Sequence, residues 1–135
     1  MTEEFRVNAE RRWLAANLVE ALKLLAAPYE DQIAALPSFV VVADELALEF
    51  DAAYSALEPS ELPASVVPEL GELDAELTRL SSASRVDAWS LDAVQHGAEW
   101  TAIRERANLI LAILGIPHDR PSIDKAGYVE TNPDR

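Results

Sequence analysis

Several groups that usually carry chemistry are missing or scarce in this 135-residue chain. There is no cysteine, which excludes disulfides, thiolate zinc sites and cysteine nucleophiles. The four glycines stand singly, whereas phosphate-binding loops cluster glycines so that backbone amides can approach a phosphate. Only two histidines are present, and no Gly-x-Ser-x-Gly elbow occurs. The sequence therefore excludes the usual nucleotide-binding loops and the common hydrolase motifs.

Long apolar runs are also absent. The longest, Leu109–Ile116, has eight residues, whereas a helix needs about 20 to cross a bilayer. The N-terminal segment is charged and has no apolar signal-peptide core. We therefore expect no membrane interaction, and a cytoplasmic location.

Basic residues are few, and their distribution is uneven. The chain has 24 Asp and Glu against 11 Lys and Arg, for a net charge of −13. Residues 28–83 contain twelve acids and a single base, Arg79, and no Lys or Arg lies between Glu30 and Glu76. Such a surface repels nucleic acid and anionic lipid and speeds encounter with basic proteins. The alternative is a solvated surface that promotes solubility.

The residues that are abundant indicate a helical fold. Half of the chain is hydrophobic, and the apolar residues recur at steps of three and four, which is the pattern of helices buried along one side. No period-two segment of useful length appears. We predict an all-α fold, a small irregular bundle of four main helices plus one short helix. It forms a single domain over residues 1–116, followed by a polar tail over residues 117–135 that is docked or partly disordered.

Capping residues and prolines set the predicted boundaries. The predicted helices cover residues 2–26, 28–37, 38–57, 68–82 and 90–114, with a Pro-rich crossing loop over residues 58–68. Ser38 is expected to cap the central helix and Ser90 the last one. The last helix is expected to bend or break at Gly97. Gly115 is expected to end it in a Schellman motif.

The apolar stripes predict which side chains are buried. The stripe of the central helix comprises Phe39, Ala43, Leu46, Phe50, Ala53 and Leu57. Trp13 and Trp100 fall on similar stripes and are predicted to lie in the core, and Ile33 and Leu91 are predicted to face inward. Trp89 precedes Ser90 and could act as a hydrophobic staple.

One pattern in the sequence resembles a metal site. Asp92, His96 and Glu99 stand at spacings of four and three, which would place them on one helical face. Glu45 and Glu49 are also one turn apart, but carboxylate-bridged bundles use a Glu-x-x-His pair that this sequence lacks. A solvent-facing polar patch is the favoured interpretation. We predict no metal, no cofactor and no catalytic residue, and therefore no enzyme.

The acidic segments also carry tyrosines, and the combination suits a basic partner. Tyrosine beside a carboxylate can receive an arginine or lysine at an interface. The predicted partner-binding residues are Tyr29, Glu30, Asp31, Asp44, Glu45, Glu49, Asp51, Tyr54 and Glu58. Alternatively, Arg104 or Arg106 pairs internally with Asp44, Glu45 or Glu49 and consumes this surface.

Size, charge and the lack of cysteine together suggest a class of function. In these respects the chain resembles the inhibitor or immunity proteins that bacteria keep against basic nuclease-type toxins, and its Ala-, Leu- and Arg-rich usage is compatible with a bacterial source. The resemblance implies a non-enzymatic protein-binding module with a basic protein partner. One alternative is a homo-oligomeric structural domain, and a less favoured one is a small-molecule or metal-binding bundle.

Overall fold

The computed structural model describes residues 3–81 and 86–117, and this part of the chain is helical and contains no strand. Its helices are α1 (Glu3–Ala26), α2 (Tyr29–Ala35), α3 (Val42–Ser55), α4 (Val67–Leu80), α5 (Leu91–His96) and α6 (Ala98–Leu114), with 3₁₀ turns at Pro59–Glu61 and Val86–Trp89. The predicted all-α bundle is confirmed. The predicted tail lies outside the described residues apart from Pro117, so the division into domain and tail stays a prediction.

The helices pack in an order that leaves one seam open. The long α1 packs against α6, α3 packs on α1, and α4 packs on α6, so contact runs in the order α3, α1, α6, α4. The first and last of these, α3 and α4, approach one another less closely than either approaches its own neighbour. The bundle is therefore incompletely closed between α3 and α4.

Most of the predicted core is confirmed. The residues of the central stripe from Ala43 onward are buried, as is every leucine of the α4 seam: Leu70, Leu73, Leu77 and Leu80. Val66 is buried at the end of the Pro-rich crossing, where it precedes the first residue of α4. Burying such stripes contributes about 1.5–3 kcal/mol for each large aliphatic side chain.

The central helix begins later than predicted. It starts at Val42 rather than after Ser38, and Val41, with φ of −81° and ψ of 114°, occupies its N-cap position without a side-chain cap. Three consecutive valines favour extended backbone because branching at Cβ restricts χ1 in a helix. Residues 38 and 39 form a turn instead, so Phe39 is exposed and its predicted place in the stripe was wrong.

Three other predictions of burial were wrong. Trp13 is 63% exposed, although the next residue, Leu14, packs against the core. Successive residues of a helix are about 100° apart around its axis, so the orientation of α1 that turns Leu14 toward the core turns Trp13 toward solvent. Ile33 and Leu91 are also exposed, since α2 and α5 are short helices that turn only one side inward.

The predicted helix break at Gly97 and the predicted helix end at Gly115 are both confirmed. Gly97, with φ of −69° and ψ of 145°, separates α5 from α6. Gly115 has a φ of +72°, and the N–H groups of Gly115 and Ile116 bond the carbonyls of Ala112 and Leu111 as a Schellman motif requires. The break at Gly97 also separates His96 from the helix that follows, so Asp92, His96 and Glu99 do not share one continuous helical face.

Gly97 permits a close approach that a side chain would prevent. A Cβ at this position would lie 2.6 Å from the carbonyl oxygen of Ala93. We expect Gly97→Ala to lower the free energy of unfolding by about 1–3 kcal/mol through overpacking. Gly71→Ala is the matched control, since its Cβ would meet nothing within 4 Å in the exposed middle of α4, and it should stabilise by about 0.5–1 kcal/mol. Urea denaturation measures both; a change of the same sign in the two variants would contradict the prediction.

The C-terminal end of α1 is held by side chains from two other helices. Gln32, which is 1% exposed, donates from Nε2 to Leu24 O and Leu25 O at 3.0 and 3.3 Å. Asn108 donates to Ala26 O at 3.2 Å, and Arg104 donates to Ala27 O at 2.8 Å. A helix leaves its last carbonyls without intrahelical donors, and Pro28 prevents α1 from continuing. This polar cluster was not predicted.

Arg104 completes the cluster at a desolvated position. It also donates from Nη2 to Gln32 Oε1 at 2.9 Å and to Val94 O at 3.1 Å. Burial lowers the pKa of its guanidinium, and the nearby charge of Glu30 opposes that shift. Through its hydrogen bonds the arginine therefore links α6 to α2, to α5 and to the residue that follows α1.

Candidate functional site

A groove of about 530 Å³ lies at the open seam between α3 and α4. Its lining is Asp44, Ala47, Leu48, Phe50, Asp51, Asp74, Leu77, Thr78, Ser81 and Trp89. We call it the α3–α4 groove. Its volume lies within the range of about 300–1,000 Å³ that is usual for binding pockets, and its mixture of apolar walls with a few polar groups is also typical of them.

The α3 wall follows from the periodicity of that helix. Phe50 points into the core, where it is fully buried. Asp44 and Asp51 are seven residues apart, and two helical turns place them on one face of α3. Leu48 lies between them in the sequence and is 57% exposed. This wall therefore presents an exposed apolar side chain with one carboxylate on each side of it.

The α4 wall lies beside the buried leucine seam. Asp74, Thr78 and Ser81 recur at steps of four and three, one residue after the seam positions, so they lie along its edge. Thr78 Oγ1 donates to the carbonyl of Asp74 at 2.9 Å, and Ser81 Oγ donates to the carbonyl of Thr78 at 3.0 Å. Both hydroxyl hydrogens are thus engaged by the backbone of the helix.

Trp89 forms part of the same lining and is fixed on two sides. Its Nε1–H donates to Asp44 Oδ1, which ties the 3₁₀ turn to α3. Its ring lies 5.7 Å from that of Trp100 at an interplanar angle of 54°, within the range of favourable aromatic pairs. Trp100 is itself anchored, because its Nε1–H donates to Ala88 O at 2.7 Å. The structure thereby holds an indole ring at the groove.

The predicted binding residues are divided among several places. Asp44 and Asp51 line the groove. Glu45 and Glu49 are partly buried and interact with neighbouring groups, and the ring of Tyr54 stacks on Phe50 at 5.2 Å. The predicted residues outside the groove lining are Tyr29, Glu30, Asp31, Glu45, Glu49, Tyr54 and Glu58. Whether any of the nine binds a partner stays a prediction.

The sequence did not indicate the other residues of the groove lining, among them Leu48, Asp74 and Trp89, as a site. Trp89 was predicted only as a hydrophobic staple before Ser90. The spacing of Asp74, Thr78 and Ser81 at steps of four and three could have indicated an exposed polar edge on α4. No local pattern indicated that this edge faces Asp44 and Asp51.

The two arginines of α6 bond to residues other than the acids of α3. Arg106 donates to Glu76 Oε1 and to Glu69 Oε2, both at 2.6 Å, and the hydrogen bond to Glu76 is the largest cause of its raised pKa. Arg104 belongs to the cluster at the end of α1. The proposed internal pairing of either arginine with Asp44, Glu45 or Glu49 is therefore wrong, because both guanidinium groups are engaged elsewhere.

The described residues contain neither a metal-binding cluster nor a membrane-spanning helix. In residues 3–81 and 86–117, no group of three or more His, Asp or Glu side chains is arranged to hold a metal ion. None of the helices in those ranges has the length and apolarity required to span a membrane.

Comparison with known proteins adds no assignment. Neither the protein-family models, the curated proteins nor the solved structures gave a match to this chain.

Proposed function

We propose that this chain is a non-enzymatic protein-binding module that holds a basic protein partner at the α3–α4 groove. The observation that carries the proposal is the composition of the groove, in which aspartates from two helices surround uncovered apolar surface. Interfaces of this kind combine a desolvated apolar centre with complementary charges. Leu48 and Trp89 would supply the apolar contact, and Asp51 and Asp74 the charge.

The overall charge supports the same proposal. Even if each of the 11 Lys and Arg paired with one acid, 13 of the 24 carboxylates would have no such partner. Arg106 uses its single charge on Glu69 and Glu76 together. The resulting negative field would steer a basic protein toward the chain and raise the association rate, most strongly at low salt.

An inhibitor or immunity role against a basic toxin is the specific form of this proposal. It is supported by the small helical fold, the acidic charge and the lack of cysteine. A bacterial and cytoplasmic setting belongs to the same proposal. In such a role the groove would receive a basic segment of the toxin and block it.

Charge reversal within the groove tests the proposal. The variant Asp51→Lys/Asp74→Lys is compared with Glu72→Lys/Glu105→Lys, which makes the same change of net charge at exposed acids outside the groove. The purified product of the adjacent gene is titrated by calorimetry at low and at physiological salt. We expect the groove variant to weaken binding by about 100-fold and the control by less than about threefold, because centrally placed charges matter more than rim charges.

Equal weakening by the two variants would contradict the proposal, since general electrostatic attraction would then explain the binding. If the wild-type chain does not bind the gene product at either salt concentration, that product is not the partner and the proposal is left without support.

A second candidate is a homo-oligomeric structural domain. Leu109 and Ile113 are exposed one turn apart on α6, and Trp13 is exposed on α1, the helix that packs against α6. Exposed apolar side chains on these two helices can pair with a second copy. Sedimentation of the wild-type chain and of Trp13→Ser/Ile113→Ser distinguishes the two. A stable dimer that the double variant dissociates would favour this candidate, and a monomer at micromolar concentration would exclude it.

A further inference from the structure

The polar groups of the α3–α4 groove are hydrogen-bond acceptors. The hydroxyl hydrogens of Thr78 and Ser81 are donated to backbone carbonyls, so each oxygen presents only lone pairs to the groove. The indole N–H of Trp89 is donated to Asp44. The remaining polar side chains of the described lining are carboxylates. An ionised carboxylate can accept hydrogen bonds but cannot donate them. A ligand that matches this lining must donate hydrogen bonds, and it has no need to accept any.

We propose that the α3–α4 groove is a socket for an arginine side chain of the basic partner. This inference rests on the function proposed above and specifies what the groove recognises. Arginine carries five N–H donors and no acceptor, and its planar guanidinium pairs well with carboxylates. Asp51 on α3 and Asp74 on α4 face it from opposite walls. Lysine also only donates, but its ammonium is a compact, strongly hydrated charge.

The aromatic and apolar parts of the lining favour arginine over lysine. A guanidinium stacks on an indole face more readily than an ammonium does, and Trp89 lines the groove. Leu48 and Leu77 would contact the methylene groups of the arginine. Asp44 is a positioning residue, because its hydrogen bond to Trp89 Nε1 orients the ring.

The three tryptophans make the location of binding measurable. Trp13 is exposed on α1, Trp100 is buried behind the groove, and Trp89 lines it. The full chain is labelled with 5-fluorotryptophan and observed by ¹⁹F NMR. The probes are three amphipathic helical peptides that are identical except that each cationic position carries arginine, lysine or uncharged citrulline. Affinities for the same peptides are measured by fluorescence anisotropy.

We expect the arginine peptide to shift the Trp89 signal saturably and to leave the Trp13 signal unchanged. The lysine peptide should bind about tenfold more weakly, and the citrulline peptide should not bind measurably. Asp74→Asn and Trp89→Phe should each weaken binding of the arginine peptide by about tenfold. Glu72→Gln, an exposed acid on α4 outside the groove, is the control and should change the affinity by less than twofold.

Several outcomes would overturn the socket without overturning the proposed function. These are an arginine peptide that binds without shifting Trp89, equal affinities for arginine and lysine, or no peptide binding while charge reversal in the groove still abolishes binding of the protein partner. The opposite result is also possible: the arginine peptide binds as expected, but charge reversal in the groove leaves binding of the protein partner unchanged. That result would overturn the proposed function alone.

Discussion

Replacing Trp100 with alanine is expected to lower the free energy of unfolding by about 3–5 kcal/mol, which is typical for the deletion of a buried tryptophan or phenylalanine. The side chain is 1% exposed, so the variant creates a cavity between α6 and the ring of Trp89. It also removes the donor to Ala88 O, which is costly if the carbonyl stays buried. Urea denaturation followed by circular dichroism measures the change.

Trp13→Ala provides the matched control for this substitution. Trp13 is 63% exposed, and exposed positions usually change stability by less than about 0.5 kcal/mol. Similar losses in the two variants would show that the division between a buried Trp100 and an exposed Trp13 is wrong.

The Trp100 substitution should also affect the candidate site. Trp89 would lose its contact with the ring of Trp100, 5.7 Å away. Of the two contacts described above, only the hydrogen bond to Asp44 would then hold the indole. Binding of an arginine peptide should therefore weaken even under conditions in which the variant is fully folded. The effect arises from positioning, because Trp100 does not line the groove.

Replacing Arg104 with methionine is the second substitution with a large expected effect, a loss of about 3–5 kcal/mol. Methionine retains much of the side-chain volume but leaves three acceptors without their donor: Ala27 O, Gln32 Oε1 and Val94 O. Each unsatisfied buried acceptor costs about 1–3 kcal/mol, and entry of water offsets part of the sum. Denaturation in urea measures the loss.

Arg106→Met is the control for Arg104→Met, because both changes remove one arginine of α6. Arg106 is partly exposed and pairs with the partly exposed Glu69 and Glu76, and ion pairs of this kind contribute about 0–1 kcal/mol. A loss at Arg106 equal to that at Arg104 would contradict the importance of the cluster at the end of α1.

A double-mutant cycle with Gln32→Leu tests whether the cluster acts as a unit. Gln32 and Arg104 share a hydrogen bond, and groups that share a partner are usually coupled by about 0.5–3 kcal/mol. Additive losses would indicate two independent contacts. Because neither residue lines the groove, folded Arg104→Met protein should bind an arginine peptide with wild-type affinity.

The sequence alone determined the local properties of this protein. Steps of three and four predicted the all-α fold and the buried residues of the central helix from Ala43 to Leu57, since apolar periodicity is visible in a single sequence. Gly97 and Gly115 marked the break and the end of the last helical segment, because their effect is exerted on their own backbone. The acidic count likewise indicated Asp44 and Asp51 as candidates, but it did not separate them from Glu45 and Glu49.

Only the tertiary structure decided which faces meet. The side that α1 turns toward the core left Trp13 exposed, and the end of α1 before Pro28 required donors that Gln32 and Arg104 supply. The open seam between α3 and α4 brought Asp51, Asp74 and Trp89 to one groove. The physical reason is that helical periodicity fixes the angular position of a side chain on its own helix, whereas its neighbours depend on how separate helices pack to bury their combined apolar surface.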